Sequence, residues 1–66
     1  MNNKIRVARA EVRMTQQQLA EAAGVSRQTI NAIESGKFVP STVLALKMAQ
    51  IFGKSVEEIF QLEDGD

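Results

Sequence analysis

The sequence predicts an all-α domain of five short helices, and three observations lead there. Apolar residues recur at helical spacing along the chain, and no stretch sustains two-residue alternation. Residues that open helices (Thr15, Ser26, Pro40-Ser41, Ser55) alternate with glycines that close them (Gly24, Gly36, Gly53). At 66 residues without repeats or linkers, the chain reads as a single domain over 1–66, near the lower size limit for a self-sufficient core.

The first helix is expected from about Lys4 to Val12, with Ile5, Ala8 and Val12 on one side. The second starts at Thr15, where Thr15 and Gln18 have capping-box spacing and Met14 is placed to staple against Leu19. It ends at Gly24, which tolerates the left-handed conformation that a β-carbon makes costly. Ser26 caps the third helix, Val25 and Ile30 form its hydrophobic staple, and Gly36 stops it. Pro40-Ser41 opens the fourth, whose face of Leu44, Met48 and Ile51 runs to Gly53. Ser55 and Glu58 form a second capping box, for a short fifth helix carrying Val56, Ile59 and Phe60. The acidic tail, residues 63–66, has no apolar anchor and is expected to fray.

Composition removes several function classes. With no cysteine, histidine or tyrosine, the chain lacks disulfides and the usual zinc ligands. The serines and threonines with an evident role sit at caps or turns, and the tail acids lack the order of a calcium loop. No enzyme activity, metal or cofactor is expected. The longest apolar run inside any helix is Val43 to Leu46, so no membrane span is expected and a cytoplasmic location is. The net charge is zero, but it is unevenly placed. Residues 1–37 hold Lys4, Arg6, Arg9, Arg13, Arg27 and Lys37 against Glu11, Glu21 and Glu34, a net of +3. Residues 38–66 hold Lys47 and Lys54 against Glu57, Glu58, Glu63, Asp64 and Asp66, a net of −3. A basic front can attract phosphates although the whole is neutral. Chance scatter of surface charge is the competing account.

Residues 15–36 carry the most chemistry. Two short helices meet at Gly24, with Ala20 and Ala23 small enough for close crossing. At about 100° per residue, Ile30 and Ile33 define the buried side of the third helix. Gln28, Asn31, Ala32 and Ser35 cluster opposite, and Arg27 flanks them in the first turn. Gln and Asn can make paired hydrogen bonds to adenine in the DNA major groove, and Arg to guanine. Gln16 and Gln17 start the second helix, where free N–H groups and the dipole favour a phosphate; Lys37 lies just beyond the third. Any one polar side chain there is ordinary for a solvated helix. The full combination of caps, small residues, turn glycine and outward polar face is a helix-turn-helix pattern.

Written as Thr15-Gln16-x-x-Leu19-Ala20-x-x-Ala23-Gly24-Val25-Ser26-Arg27-x-x-Ile30-x-x-Ile33-Glu34-x-Gly36-Lys37, the segment resembles the phage-repressor/Cro-like (XRE) helix-turn-helix family. The likeness extends from Ile5 to Phe60, including Pro40-Ser41 and Gly53-x-Ser55-x-x-Glu58-Ile59-Phe60. It implies a lambda-repressor-like five-helix domain that binds double-stranded operator DNA, commonly as a dimer. By that resemblance Gln16 would clamp a phosphate, and Arg27 and Gln28 would read base edges. Asn31 and Ala32 would lie against the groove floor, with Ser26, Ser35 and Lys37 beside the backbone. Arg9 and Glu34 would form a largely buried ion pair between the first and third helices.

Two departures stand out. Arg13 occupies the place where many relatives end the first helix with glycine, so it either bears a left-handed strain or the connection differs. Phe38-Val39 replace basic residues found after the third helix in some phage repressors, which implies fewer phosphate contacts. The apolar residues Val39, Phe60 and Leu62 exceed what five small helices readily bury, and are candidates for a homodimer contact. The expected function is sequence-specific repression from an inverted-repeat operator. The rival is an antitoxin or protein-interaction module, whose partner would bind the acidic C-terminal half.

Overall fold

Two short strands from opposite ends of the chain meet in the computed structural model, which describes residues 1–66. β1 (Asn2–Asn3) pairs antiparallel with β2 (Phe60–Gln61), Asn2 opposite Gln61 and Asn3 opposite Phe60. Between them run α1 (Ile5–Val12), α2 (Gln16–Ala23), α3 (Arg27–Glu34), α4 (Thr42–Phe52) and α5 (Val56–Ile59). The five helices are those expected; the ribbon is an addition to an otherwise helical fold. Its register is continued by the Lys4 N–H, which donates to the Ile59 carbonyl at 2.7 Å.

Local chemistry sets the helix ends. The Thr15 hydroxyl accepts from the Gln18 N–H while the Gln18 side-chain Oε1 accepts from the Thr15 N–H, a closed capping box. Ser55 and Glu58 make the same reciprocal pair before α5. These hydrogen bonds, from the Ser55 backbone first, hold the Glu58 carboxyl below its ordinary pKa. Ser26 and Ser41 cap α3 and α4 through the Thr29 and Leu44 N–H groups. Gly24 (φ 75°) ends α2 in the left-handed region. Arg13 does the same for α1 at φ 56°, so the expected turn is kept with a side chain in glycine's place.

One core of thirteen apolar residues draws on all five helices and contains no polar residue. Ile5, Leu19, Ile30, Ile33, Met48 and Ile59 are its fully buried large side chains. Along α4 the buried face is Leu44, Met48, Ala49 and Phe52, with Ile51 only partly covered. Three expectations are corrected here. Val12 shares the angular position of Ile5 and Ala8 but, as the last residue of α1, lies at the edge of the core and is 46% exposed. Phe60, expected as a dimer contact, is 6% exposed: its place in β2 folds the ring into the monomer's core. The tail from Glu63 is not frayed but folded back. The Met1 ammonium lies 2.9 Å from Glu63 and 3.1 Å from Asp66, and the Glu63 N–H donates to the Asp66 carboxylate at 2.8 Å. The Glu63 backbone and then the ammonium keep the Asp66 carboxyl below its usual value.

Candidate nucleic-acid interface

α2 and α3 pack together, with the small Ala20 and Ala23 of one and Ile30 and Ile33 of the other all buried in the one core. That packing turns the opposite side of α3 to solvent. Arg27, Gln28 and Asn31 are all exposed there, and together they line a recess of about 250 Å³. A neighbouring recess of about 290 Å³ is lined by Ser26, Gln28, Thr29, Ala32 and Phe38. Gln28 is shared by both, so the two form one continuous surface along α3.

At one end this surface is tied to a polar hub. The Glu34 carboxylate is 2% exposed, and accepts from Arg9 Nε at 2.7 Å and Arg9 Nη2 at 3.1 Å. Arg9 also donates from Nη1 to the Met14 carbonyl at 2.9 Å, which anchors α1 to the turn before α2. Gln16 Nε2 donates to both Asn31 Oδ1 (3.2 Å) and Glu34 Oε1 (3.4 Å). Arg6 Nε lies 3.6 Å from the same carboxylate with its side chain 79% exposed. Three helices thus converge on Glu34. Asn3 adds a link from the ribbon, donating from Nδ2 to the Ile33 carbonyl at 2.9 Å and accepting from the Ile5 N–H at 3.3 Å.

The remaining residues singled out from sequence fall into two groups. Ser26 and Ser35 are exposed, but each hydroxyl has an intramolecular partner: Ser26 caps α3, and Ser35 donates to the Ala32 carbonyl at 3.1 Å. Gln17 and Lys37 are exposed and line neither recess; Gln17 donates to Glu21 at 3.1 Å along its own helix. The α2 capping box satisfies Thr15 and Gln18, leaving the Gln16 and Gln17 N–H groups at the positive end of the helix. Sequence reasoning did not foresee the Gln16–Asn31 bond, which joins residues on different helices. Nor did it single out Val43 and Leu46. They are 64% and 52% exposed and project from α4 opposite Leu44 and Met48 at about 100° per residue. An α4 apolar nearly all round was the available signal.

A helix-turn-helix family model matches residues 5–59, which spans all five helices and the whole of this surface. The chain belongs to the XRE-type helix-turn-helix family. It is a transcriptional regulator with a helix-turn-helix DNA-binding domain. Relatives in this family include an HTH-type transcriptional regulator of Methanocaldococcus jannaschii, 52% identical over 66 residues and the full length of both chains. The HTH-type regulator YgzD of Bacillus subtilis is 45% identical, covering 97% of each chain. Among solved structures, the fold is similar to the restriction-modification controller protein C.AhdI of Aeromonas hydrophila. That likeness has a TM-score of 0.77 at 28% identity and covers 85% of each chain.

Proposed function

We propose that this XRE-type regulator is a repressor that binds an inverted-repeat operator as a homodimer, with α3 in the major groove. The observation that carries the reading is the convergence of exposed Arg27, Gln28 and Asn31 on one recess, opposite buried Ile30 and Ile33. Arg27 and Gln28 read base edges, each paired contact contributing about 1–3 kcal/mol of discrimination. With Gln16 donating to its Oδ1, Asn31 offers the groove its Nδ2 as a donor. Gln16, Gln17, Ser26, Ser35 and Lys37 fix register against phosphate and sugar. The reading invokes no metal, cofactor or catalytic step, and places the protein with the genome in the cytoplasm.

For the homodimer, the candidate face is Val39 and Leu62 together with Val43 and Leu46. These four are 52–80% exposed. A recess of about 270 Å³ lies among Val39, Pro40, Leu46 and Val56, with Phe60 at its floor. A two-fold dimer would set two α3 helices to read half-sites about 34–36 Å apart. The antitoxin reading, with a partner on the acidic C-terminal half, is less favoured, because two of the five acids there, Glu63 and Asp66, already pair with the Met1 ammonium.

The test is selection from a random duplex DNA library at near-physiological salt. Enrichment of an inverted repeat with half-sites one turn apart, with the preferred bases altered by Arg27→Ala and Gln28→Ala, supports the reading. Weak binding that enriches no sequence would sink it.

A further inference from the structure

After α3 the chain runs without helix or strand from Phe38 to Pro40, and two adjacent apolar residues there go separate ways. Val39 lines the recess against α4 and α5, whereas Phe38 lines the one on α3, beside Gln28, Thr29 and Ala32. Phe38 is held in that place by its backbone, since its N–H donates to the Ala32 carbonyl at 3.2 Å. The Lys37 N–H donates to the same carbonyl at 2.9 Å. The chain's other two phenylalanines, Phe52 and Phe60, are 7% and 6% exposed; Phe38 is 51% exposed. A half-exposed ring pinned to the last turn of a polar reading helix is therefore the exception within this fold.

The chemistry of the groove suggests what such a ring meets. Base edges in the major groove present hydrogen-bond donors and acceptors, and one apolar group, the C5-methyl of thymine. Phe38 and Ala32 make an apolar spot within an otherwise polar surface of Arg27, Gln28 and Asn31. We infer that Phe38 and Ala32 form a seat for a thymine methyl, which makes Phe38 a specificity-determining residue outside the two helices of the motif. The inference rests on the proposed major-groove reading by α3 and adds a residue and a base group to it.

The experiment is equilibrium binding of the full chain to the selected operator, with each thymine replaced in turn by deoxyuridine. That replacement keeps every base-pair hydrogen bond and removes only the methyl. One thymine per half-site should be methyl-sensitive, its loss weakening binding about fourfold, as for one buried methyl-sized group. In Phe38→Ala the uracil penalty at that position should vanish, while penalties for changing the base pair read by Arg27 remain. Thermal melting of the variant should fall by only about 4–8 °C, because half of the ring is already in solvent, so the variant stays folded in the binding assay. The inference is overturned if no thymine is methyl-sensitive, a result that needs no variant. It is equally overturned if the penalty persists in Phe38→Ala, or if that variant weakens operator and random DNA alike. Failure of the underlying reading would look different: the unaltered protein would show no preference for any sequence.

Discussion

Replacing Glu34 by alanine should destabilise this protein more than any substitution on the exposed face of α3. The carboxylate is 2% exposed and accepts from Arg9 at 2.7 and 3.1 Å and from Gln16 at 3.4 Å. Its removal strands an Arg9 guanidinium whose side chain is 15% exposed. Breaking such a pair from one side costs about 3–5 kcal/mol, because the remaining charge loses its partner and regains little water. Arg9 keeps its bond to the Met14 carbonyl, which points to the lower end, about 3 kcal/mol. A domain of this size has only roughly 3–10 kcal/mol in total. The melting temperature should therefore fall by about 12–24 °C. The assay is thermal denaturation followed by circular dichroism, at low and high salt. The loss should persist at high salt, since a buried pair is screened little. A second variant, Arg9→Met with Glu34→Leu, should recover most of the stability, because removing both charges leaves none unpaired. A Glu34→Ala melting curve within about 2 °C of the parent would refute the reasoning, since that is less than 1 kcal/mol.

Arg13→Gly should stabilise the chain by about 1 kcal/mol, raising the melting temperature by roughly 4–8 °C, because φ 56° is costly with a β-carbon. An unchanged or lower melting temperature would contradict that account. The Glu58 carboxyl, held below its ordinary pKa by Ser55, contributes stability that is complete above the unfolded-state value and is lost as pH falls through the folded value. Glu58→Gln, which retains a capping-box acceptor, should flatten that part of the acid limb in melts taken from about pH 6 to pH 3; parallel curves would contradict it. Leu46→Glu, at a 52% exposed position, should leave melting of the monomer unchanged while abolishing the proposed dimer in sedimentation at tens of micromolar. A variant that sediments as the parent does would remove α4 from that interface.

What the sequence made legible was what is local. Thr15 with Gln18 and Ser55 with Glu58 announce their helices within four residues, and both boxes are closed in the structure. Gly24 and Gly53 end α2 and α4 with left-handed φ, as their spacing implied. The β1–β2 ribbon was not legible, because two-residue strands have no period and their partners lie at opposite ends of the chain. The same distance hid the fate of Phe60 and of the tail acids. As a run of letters, Phe60 reads as one more apolar residue of the fifth helix; in the structure it lies in β2, paired with Asn3, and closes over the core. At the candidate site, Gln28 and Asn31 could be placed on one face from helical geometry alone, with Arg27 at its flank. Phe38 could not, since a loop residue has no periodic direction. Its orientation follows from the backbone bond to Ala32, which only the folded turn supplies.

Stability and the proposed base reading meet in the same few residues. Discrimination by a short α3 requires its side chains to be held to within about half an ångström. Three things limit its movement: Ile30 and Ile33 in the core, the Ser26 cap at its start, and the Glu34 hub at its end. Gln16 connects the hub to the exposed face of α3, because one amide nitrogen faces both Asn31 and Glu34. Loss of Glu34 would therefore loosen Asn31 as well as strand Arg9. Arg9 and Glu34 also cancel one another inside the fold, so the basic front owes its net +3 to Lys4, Arg6, Arg13, Arg27 and Lys37 against Glu11 and Glu21. Glu11 in turn lies 3.3 Å from Lys54, and Glu21 accepts from Gln17. A chain with no net charge can in this way approach phosphates, because its excess of cationic side chains is concentrated in residues 1–37.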